Sequence, residues 1–298
     1  MKTIGFIDYY LDEWHANNYP AWIKKSPENK SGYKVAYAWG EKTSPGGISS
    51  KAWCGKNKVK LCASIAEVCE KSDVLIILSP DNAEKHLEYA KIALPYGKRT
   101  YVDKTFTPTL KEACEIFALG KKSKTPLCSS SALRFAPEIA EYNGKAKSII
   151  TLGSGPSYET YAVHQLEIIT KVMGTGAEKI MAVQTGLYIS FVIVYNDGRR
   201  AVYNQLINSD APFTAGIENK GARGIEYRPI TSDFFKNFID ALMVFFDTGK
   251  VLADRKETLS IMALIEAGNK ALKKPDRWIK VETVSWDLPK TSSARGMF

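Results

Sequence analysis

The chain has 298 residues, with 41 Lys+Arg against 32 Asp+Glu and a formal net charge of +9. That length suits two domains, each large enough for its own core. With 45% hydrophobic, 24% charged and 11% aromatic residues, the composition excludes a disordered, collagen-like or coiled-coil chain.

No apolar run approaches the roughly 20 residues needed to cross a bilayer. The longest, from Leu187 to Tyr195, contains Ser190 and reads as a strand. Asp8 interrupts the first apolar stretch too early for a signal peptide, so the sequence predicts a cytoplasmic protein with no membrane partner. The five cysteines, at 54, 62, 69, 114 and 128, include no Cys-x-x-Cys pair, which predicts neither a disulfide framework nor a zinc ribbon. Nine lysines lie between residues 20 and 60 against Glu28 and Glu41 alone. Such a cluster attracts phosphate or nucleic acid, but without arginine or a nucleic-acid module it reads as a solvated face, and no nucleic-acid partner is expected.

The first half alternates strand and helix signals. Thr3 to Ile7 is a short apolar strand, Trp14 to Lys24 an aromatic-rich helix, and Tyr33 to Trp39 a second strand. After a Gly/Ser/Pro-rich loop from Thr43 to Ser50, Ser64 to Lys71 reads as helix, Val74 to Leu78 as strand, Asn82 to Leu94 as helix and Arg99 to Val102 as strand. Continuous apolar strands separated by helices predict a doubly wound parallel sheet of the α/β class. The second half changes rhythm near residues 125 to 131. Leu187 to Tyr195 and Arg200 to Ile207 flank Asn196-Asp197-Gly198, a hairpin signal. Helices follow from Ser232 to Phe246 and from Glu257 to Lys273, the latter with Asp254 as a capping residue. An α+β domain with a mainly antiparallel sheet is expected.

Ligands of an open parallel sheet collect beyond the carboxyl ends of its strands. That rule points to Asp8-Tyr9-Tyr10, Gly40-Glu41-Lys42, Ser79-Pro80-Asp81 and Asp103-Lys104-Thr105. The run from His86-Leu87-Glu88-Tyr89-Ala90, through Tyr96-Gly97-Lys98-Arg99, to Val102-Asp103-Lys104-Thr105 resembles the Gfo/Idh/MocA family of NAD(P)-dependent oxidoreductases. In that family a helix beginning with histidine leads through Gly-Lys to a strand ending in Glu-Lys-Pro. Ser79-Pro80-Asp81 matches the family's Thr-Pro-Asn turn. Ala162-Val163-His164-Gln165-Leu166-Glu167, followed by Met173-Gly174, is similar to its second signature.

The resemblance implies a Rossmann-like dinucleotide-binding domain over residues 1–128 and a substrate-binding and oligomerisation domain over 129–298. It implies hydride transfer between NAD or NADP and a sugar, polyol or related hydroxylated compound, in a homodimer or homotetramer. Lys104 and His164 are the implied catalytic pair, meeting across the cleft, with His164 starting a helix. Asp8, Tyr10, Glu41, Lys42, Ser79, Pro80, Asp103 and Lys104 are the implied cofactor contacts. Arg134, Tyr161 and Glu167 are the implied substrate contacts, with Glu167 orienting the His164 imidazole. At the loop bordering the ribose Glu41 favours NAD, whereas Lys42 with Ser44 favours NADP; the lean is to NADP.

Several residues depart from the family pattern. Gly5-Phe6-Ile7-Asp8-Tyr9-Tyr10-Leu11-Asp12-Glu13 has no glycine after Gly5, and its acids would repel a diphosphate in the usual pose. Thr105 replaces the family's proline, Thr160 its aspartate and Ala162 its glycine. The alternative is therefore a non-catalytic ligand-binding or regulatory homologue. Lys104 has a solvated lysine after a strand as its alternative; apart from the resemblance, His164 reads as a hydrogen-bonded core histidine sooner than as a catalytic one, and Arg134 equally as a salt-bridged arginine. His86 reads as a helix start and His15 as structural or rim-lining. The three histidines lie far apart in sequence, and no metal is expected.

Overall fold

The structure, a computed structural model, describes residues 1–185, 188–219, 221 and 223–283. Leu187, where one expected strand begins, and the end of the second domain from 284 to 298 lie outside them. The first half runs β1 (Thr3–Tyr10), α1 (Trp14–Lys25), β2 (Lys34–Lys42), α2 (Ser50–Asn57), β3 (Lys60–Leu61) and α3 (Ile65–Lys71). It continues with β4 (Val74–Ile77), α4 (His86–Ala93), β5 (Thr100–Val102), α5 (Leu110–Lys122) and β6 (Leu127–Cys128). All six strands join one sheet in the order β3-β2-β1-β4-β5-β6, every pairing parallel. β4 is buried along its whole length, as its unbroken apolar sequence requires. The order reverses between β1 and β4, which opens a crevice at their carboxyl ends.

Two differences from the sequence expectation have local causes. β1 runs on past Ile7 because Asp8 and Tyr10 continue the ladder against Gly40 and Lys42 of a longer β2. α2 falls where no helix is legible: its mostly polar sequence buries only Trp53 and Cys54, and Ser49 caps it by accepting from Ala52 N. α5, by contrast, carries a full capping box between Thr109 and Glu112.

The second half runs β7 (Ser148–Gly155), α6 (Tyr158–Met173), β8 (Ala177–Thr185), β9 (Tyr188–Tyr195), β10 (Arg200–Ile207), β11 (Thr214–Glu218) and β12 (Glu226–Pro229). α7 (Phe234–Thr248), α8 (Arg255–Leu272) and β13 (Ile279–Lys280) complete it. The second sheet has the order β12-β11-β7-β10-β9-β8-β13; only β7 with β10 is parallel. β9 and β10 form the expected hairpin, with Gly198 at φ +84° in its turn. Asp254 and Glu257 form the expected capping box on α8.

α6 buries its inner face between the second sheet and α8. α7 does something else: Phe238, Leu242, Phe245 and Phe246 join the core of Ile4, Phe6, Tyr19 and Trp53 on the α1 side of the first sheet. Phe238 packs against Tyr101 at 5.4 Å and Tyr19 at 5.9 Å between ring centres. A helix from the second half thus covers the first sheet, while α3, α4 and α5 cover its other face. Replacing Phe238 with alanine should cost about 3–5 kcal/mol of unfolding free energy, read by urea denaturation; a loss below about 1 kcal/mol would mean that α7 does not hold the first sheet's core.

Candidate active site

Beyond the carboxyl ends of the first sheet lies a cavity of about 400 Å³. The first half contributes Glu13, Trp14 and His15 from the start of α1, Pro80 and Asp81 from the turn after β4, and Asp103 and Lys104 after β5. The second half contributes Tyr161 and His164 of α6 and Phe234 and Phe235 of α7. Lys104 and His164, read from separate signatures, therefore share one cavity.

Lys104 is half-buried and its Nζ donates to the Pro80 carbonyl at 3.4 Å. The peptide bond that follows it is cis. His164 does not start its helix. Ser157 caps α6 by accepting from Thr160 N, which places His164 in the second turn. Its Nδ1 lies 2.8 Å from Ser131 Oγ, and its ring packs against Tyr161 and Phe213. Burial, and then the positive charge of Lys104, push the imidazole down to about 3, so at neutral pH His164 is an uncharged hydrogen-bonding group.

Glu167 lies one helical turn beyond His164 but does not orient it. Its carboxylate turns away, accepting from Ser131 N at 2.9 Å and from Arg134 at 3.2 Å. Arg134 is buried between Glu167 and Glu257, so the salt-bridge alternative describes it. The buried Glu167 and the partly buried Glu257 each take one arm of the guanidinium, and neither Arg134 nor Glu167 lines the cavity. Of the three expected substrate contacts only Tyr161 does. Glu167 acts at one remove, by holding the turn that carries Ser131.

The expected cofactor contacts divide in the same way. Pro80, Asp103 and Lys104 line the cavity; Asp8, Tyr10, Glu41, Lys42 and Ser79 do not. Asp8 is fully buried: one oxygen accepts from Ser79 Oγ at 3.1 Å and the other has no partner among the described residues. Burial first, and the nearby charge of Glu13 second, push its carboxyl well above the usual range. Ser79 also accepts from Tyr9 N at 2.9 Å, so Asp8 and Ser79 tie β1 to the turn after β4. Tyr10 packs on Tyr9. Glu41 accepts from Tyr89 at 2.6 Å and Lys85 at 3.0 Å, while exposed Lys42 stands over the Tyr9 ring.

The largest addition to the sequence reading is His15. Its Nδ1 lies 2.6 Å from Asp103 Oδ2, and Asp103 Oδ1 accepts from Tyr101 at 3.0 Å. Burial alone would raise the Asp103 carboxyl, but the charge and hydrogen bond of His15 outweigh it and hold it well below the usual range. An ionised Asp103 can only accept, so Nδ1 carries the proton. Nε2 is left without a protein partner among the described residues, in a ring that lines the cavity. No sequence signal pairs two residues 88 positions apart. Among the described residues no group of His, Cys, Asp and Glu is placed to hold a metal ion, and no helix is long and apolar enough to cross a membrane.

The environment of His164 has a measurable signature. With only three histidines in the chain, each imidazole is assignable in NMR spectra by substitution. His164 should keep its neutral resonances from pH 8 down to pH 5. The unfolded chain takes up a proton near the ordinary 6.5 and the folded chain does not, so His164 makes stability fall as pH drops below that value. A full titration of His164 near 6.5 would contradict this placement.

No family model matches the chain. A curated protein, "Uncharacterized oxidoreductase YhhX" of Escherichia coli (strain K12), is 43% identical over 63 residues, which are 21% of this chain and 18% of that protein. The match thus spans less than a fifth of the relative's length. Among solved structures, a probable dehydrogenase from Thermotoga maritima superposes with a TM-score of 0.76 at 14% identity, covering 94% of this chain and 98% of that one. A putative myo-inositol dehydrogenase from Sinorhizobium meliloti 1021 gives 0.71 at 12%, covering 95% and 100%. GenD2 from gentamicin A biosynthesis, in complex with NAD, gives 0.76 at 10%, covering 95% and 97%. These neighbours are Gfo/Idh/MocA-type dehydrogenases, and the likeness establishes their two-part fold for this chain.

Proposed function

We propose that the protein is a nicotinamide-dependent oxidoreductase of the Gfo/Idh/MocA type, acting on a CH–OH or carbonyl carbon of a sugar, polyol or similar small molecule. One observation carries this reading: Lys104 of the first half and His164 of the second line a single cavity at the sheet's switch point. The dehydrogenases of the same fold and the oxidoreductase similar over 63 residues support it. A cavity with aromatic walls at Trp14, Phe234 and Phe235 and polar groups at Asp103 and Lys104 suits a nicotinamide ring and a small hydroxylated partner. The chemistry that the cofactor supplies, when bound, is hydride exchange with the substrate carbon.

The chain's own residues handle the proton. Lys104 Nζ gives a proton to the substrate oxygen as a carbonyl is reduced, and takes it back when the alcohol is oxidised. His164, uncharged, hydrogen-bonds the same oxygen and fixes its distance from Nζ, its ring held by Ser131 and Tyr161. His15, its tautomer locked by Asp103, offers Nε2 to a second hydroxyl of the substrate. Both oxygens of Glu41 are engaged, which leaves exposed Lys42 to meet a ribose phosphate and supports the lean to NADP. A rival reading as a regulatory ligand-binding protein rests on the glycine-free turn before α1.

Titration of the purified chain should give saturable changes in NADPH and NADH fluorescence, with NADPH bound more tightly. Absence of either signal at millimolar cofactor would favour the rival. Lys42→Glu should abolish the preference for NADPH. Lys104→Met should lower turnover of a sugar-like substrate by about 10²-fold or more while changing cofactor affinity by less than about threefold; unchanged turnover would remove Lys104 from the chemistry.

The outward face of the second sheet carries Ile150 and Leu152 on β7, Val183 on β8 and Tyr188 on β9, all exposed. A second copy of the chain is the proposed cover, in a homodimer or homotetramer. Light scattering should then return twice or four times the 33.1 kDa chain mass, and a monomer at micromolar concentration would count against it.

A further inference from the structure

In doubly wound sheets that bind dinucleotides, the diphosphate sits on free backbone N–H groups at the start of the helix after the first strand. Here two of those groups are engaged. The Glu13 side chain accepts from His15 N at 2.7 Å and also from Ala16 N, closing the start of α1 with a carboxylate of the chain's own. Glu13 also lines the cavity that holds Lys104 and His164. Behind it stands Asp8, fully buried with one carboxyl oxygen unpartnered and close enough to feel Glu13's charge. A diphosphate brought to this turn meets the Glu13 carboxylate already seated on the His15 and Ala16 N–H groups, with Asp8 buried behind it.

We propose that Glu13 gates dinucleotide binding: its carboxylate occupies the anion seat at the start of α1, and a nucleotide enters only when Glu13 has given up its charge and turned away. The inference rests on the dinucleotide reading of the crevice and names the residue that decides its affinity. The freed His15 and Ala16 N–H groups then take phosphate oxygens in place of the carboxylate. A neutral Glu13 no longer repels them.

The surroundings of Glu13 set the pH at which this happens. It faces Asp8 from β1, His15 and Tyr19 from α1, and Asp103 beyond β5. Asp81 lines the same cavity from the turn after β4, and α7 presents only Phe234 and Phe235 there. Asp12, one residue back, is turned away onto Asn17 and Ile48 N. Burial, opposed by His15 and by the two N–H groups, pushes the Glu13 carboxyl up to about 7. The competent, neutral form therefore dominates below neutrality and shrinks about tenfold per pH unit above it, and apparent affinity falls with it.

The test is an NADH fluorescence titration of the full chain and its Glu13→Gln and Glu13→Ser variants at pH 6 and pH 8. NADH is the probe because its diphosphate does not titrate in this range, whereas a phosphate monoester does near pH 6. The unaltered chain should bind about tenfold more weakly at pH 8 than at pH 6. Glutamine keeps an oxygen for the helix end without charge, and serine caps a helix from a shorter side chain. Both variants should bind at pH 8 at least as tightly as the unaltered chain at pH 6, with less than about twofold change between the two pH values. Thermal unfolding confirms that each is folded, and if one is not, the other decides. Saturable binding with the same affinity and pH dependence in all three proteins would overturn the gate while leaving the dinucleotide reading intact. No binding by any of them at either pH would overturn both.

Discussion

At the centre of the crevice is a carboxylate shut off from water. Asp103 is held ionised by His15 on one oxygen and Tyr101 on the other, at a depth where an unpaired charge is not tolerated. That requirement organises the neighbourhood. It draws the first turn of α1 over the ends of β4 and β5 and locks the tautomer of His15. It also anchors the residue before Lys104, so the lysine leaves the sheet beside the cavity. The buried pair is costly to form and therefore specific in what it accepts as neighbours.

The other half of the site is supported in a different way. His164 depends on Ser131, Ser131 on Glu167, and Glu167 on Arg134, which Glu257 holds from the opposite side. The chain of contacts runs from α6 through the turn after β6 to α8. Through it the imidazole is placed by Ser131 at the cavity wall, and behind Ser131 by Glu167, Arg134 and Glu257, which do not line the cavity.

Much of the scaffold was legible in sequence because its signals are local. β4 is an unbroken apolar run, the β9–β10 turn carries Asn-Asp-Gly, and α8 begins with a capping pair three residues apart. β7 was not legible: its outward positions Ile150 and Leu152 are apolar, which erases the alternation that marks a half-buried strand. Lys104 and His164 were found through motifs that each lie within a few residues. The partners of Arg134, Glu167 and His15 were not, because they lie 33 to 123 residues away. The i, i+3 spacing that put Glu167 beside His164 gives proximity along a helix, and burial then decided which neighbour took the charge.

α7 adds a mechanical consequence. A helix that leaves the second sheet and fixes its phenylalanines under the first works as a strap across the cleft. Swinging the halves apart as rigid bodies would drag Phe238 and Phe246 out of an apolar interior. With the halves held, movements of lining side chains remain, among them Glu13 and the exposed Trp14 and Tyr161. A protein strapped in this way admits small guests by local breathing and keeps its two halves in register throughout.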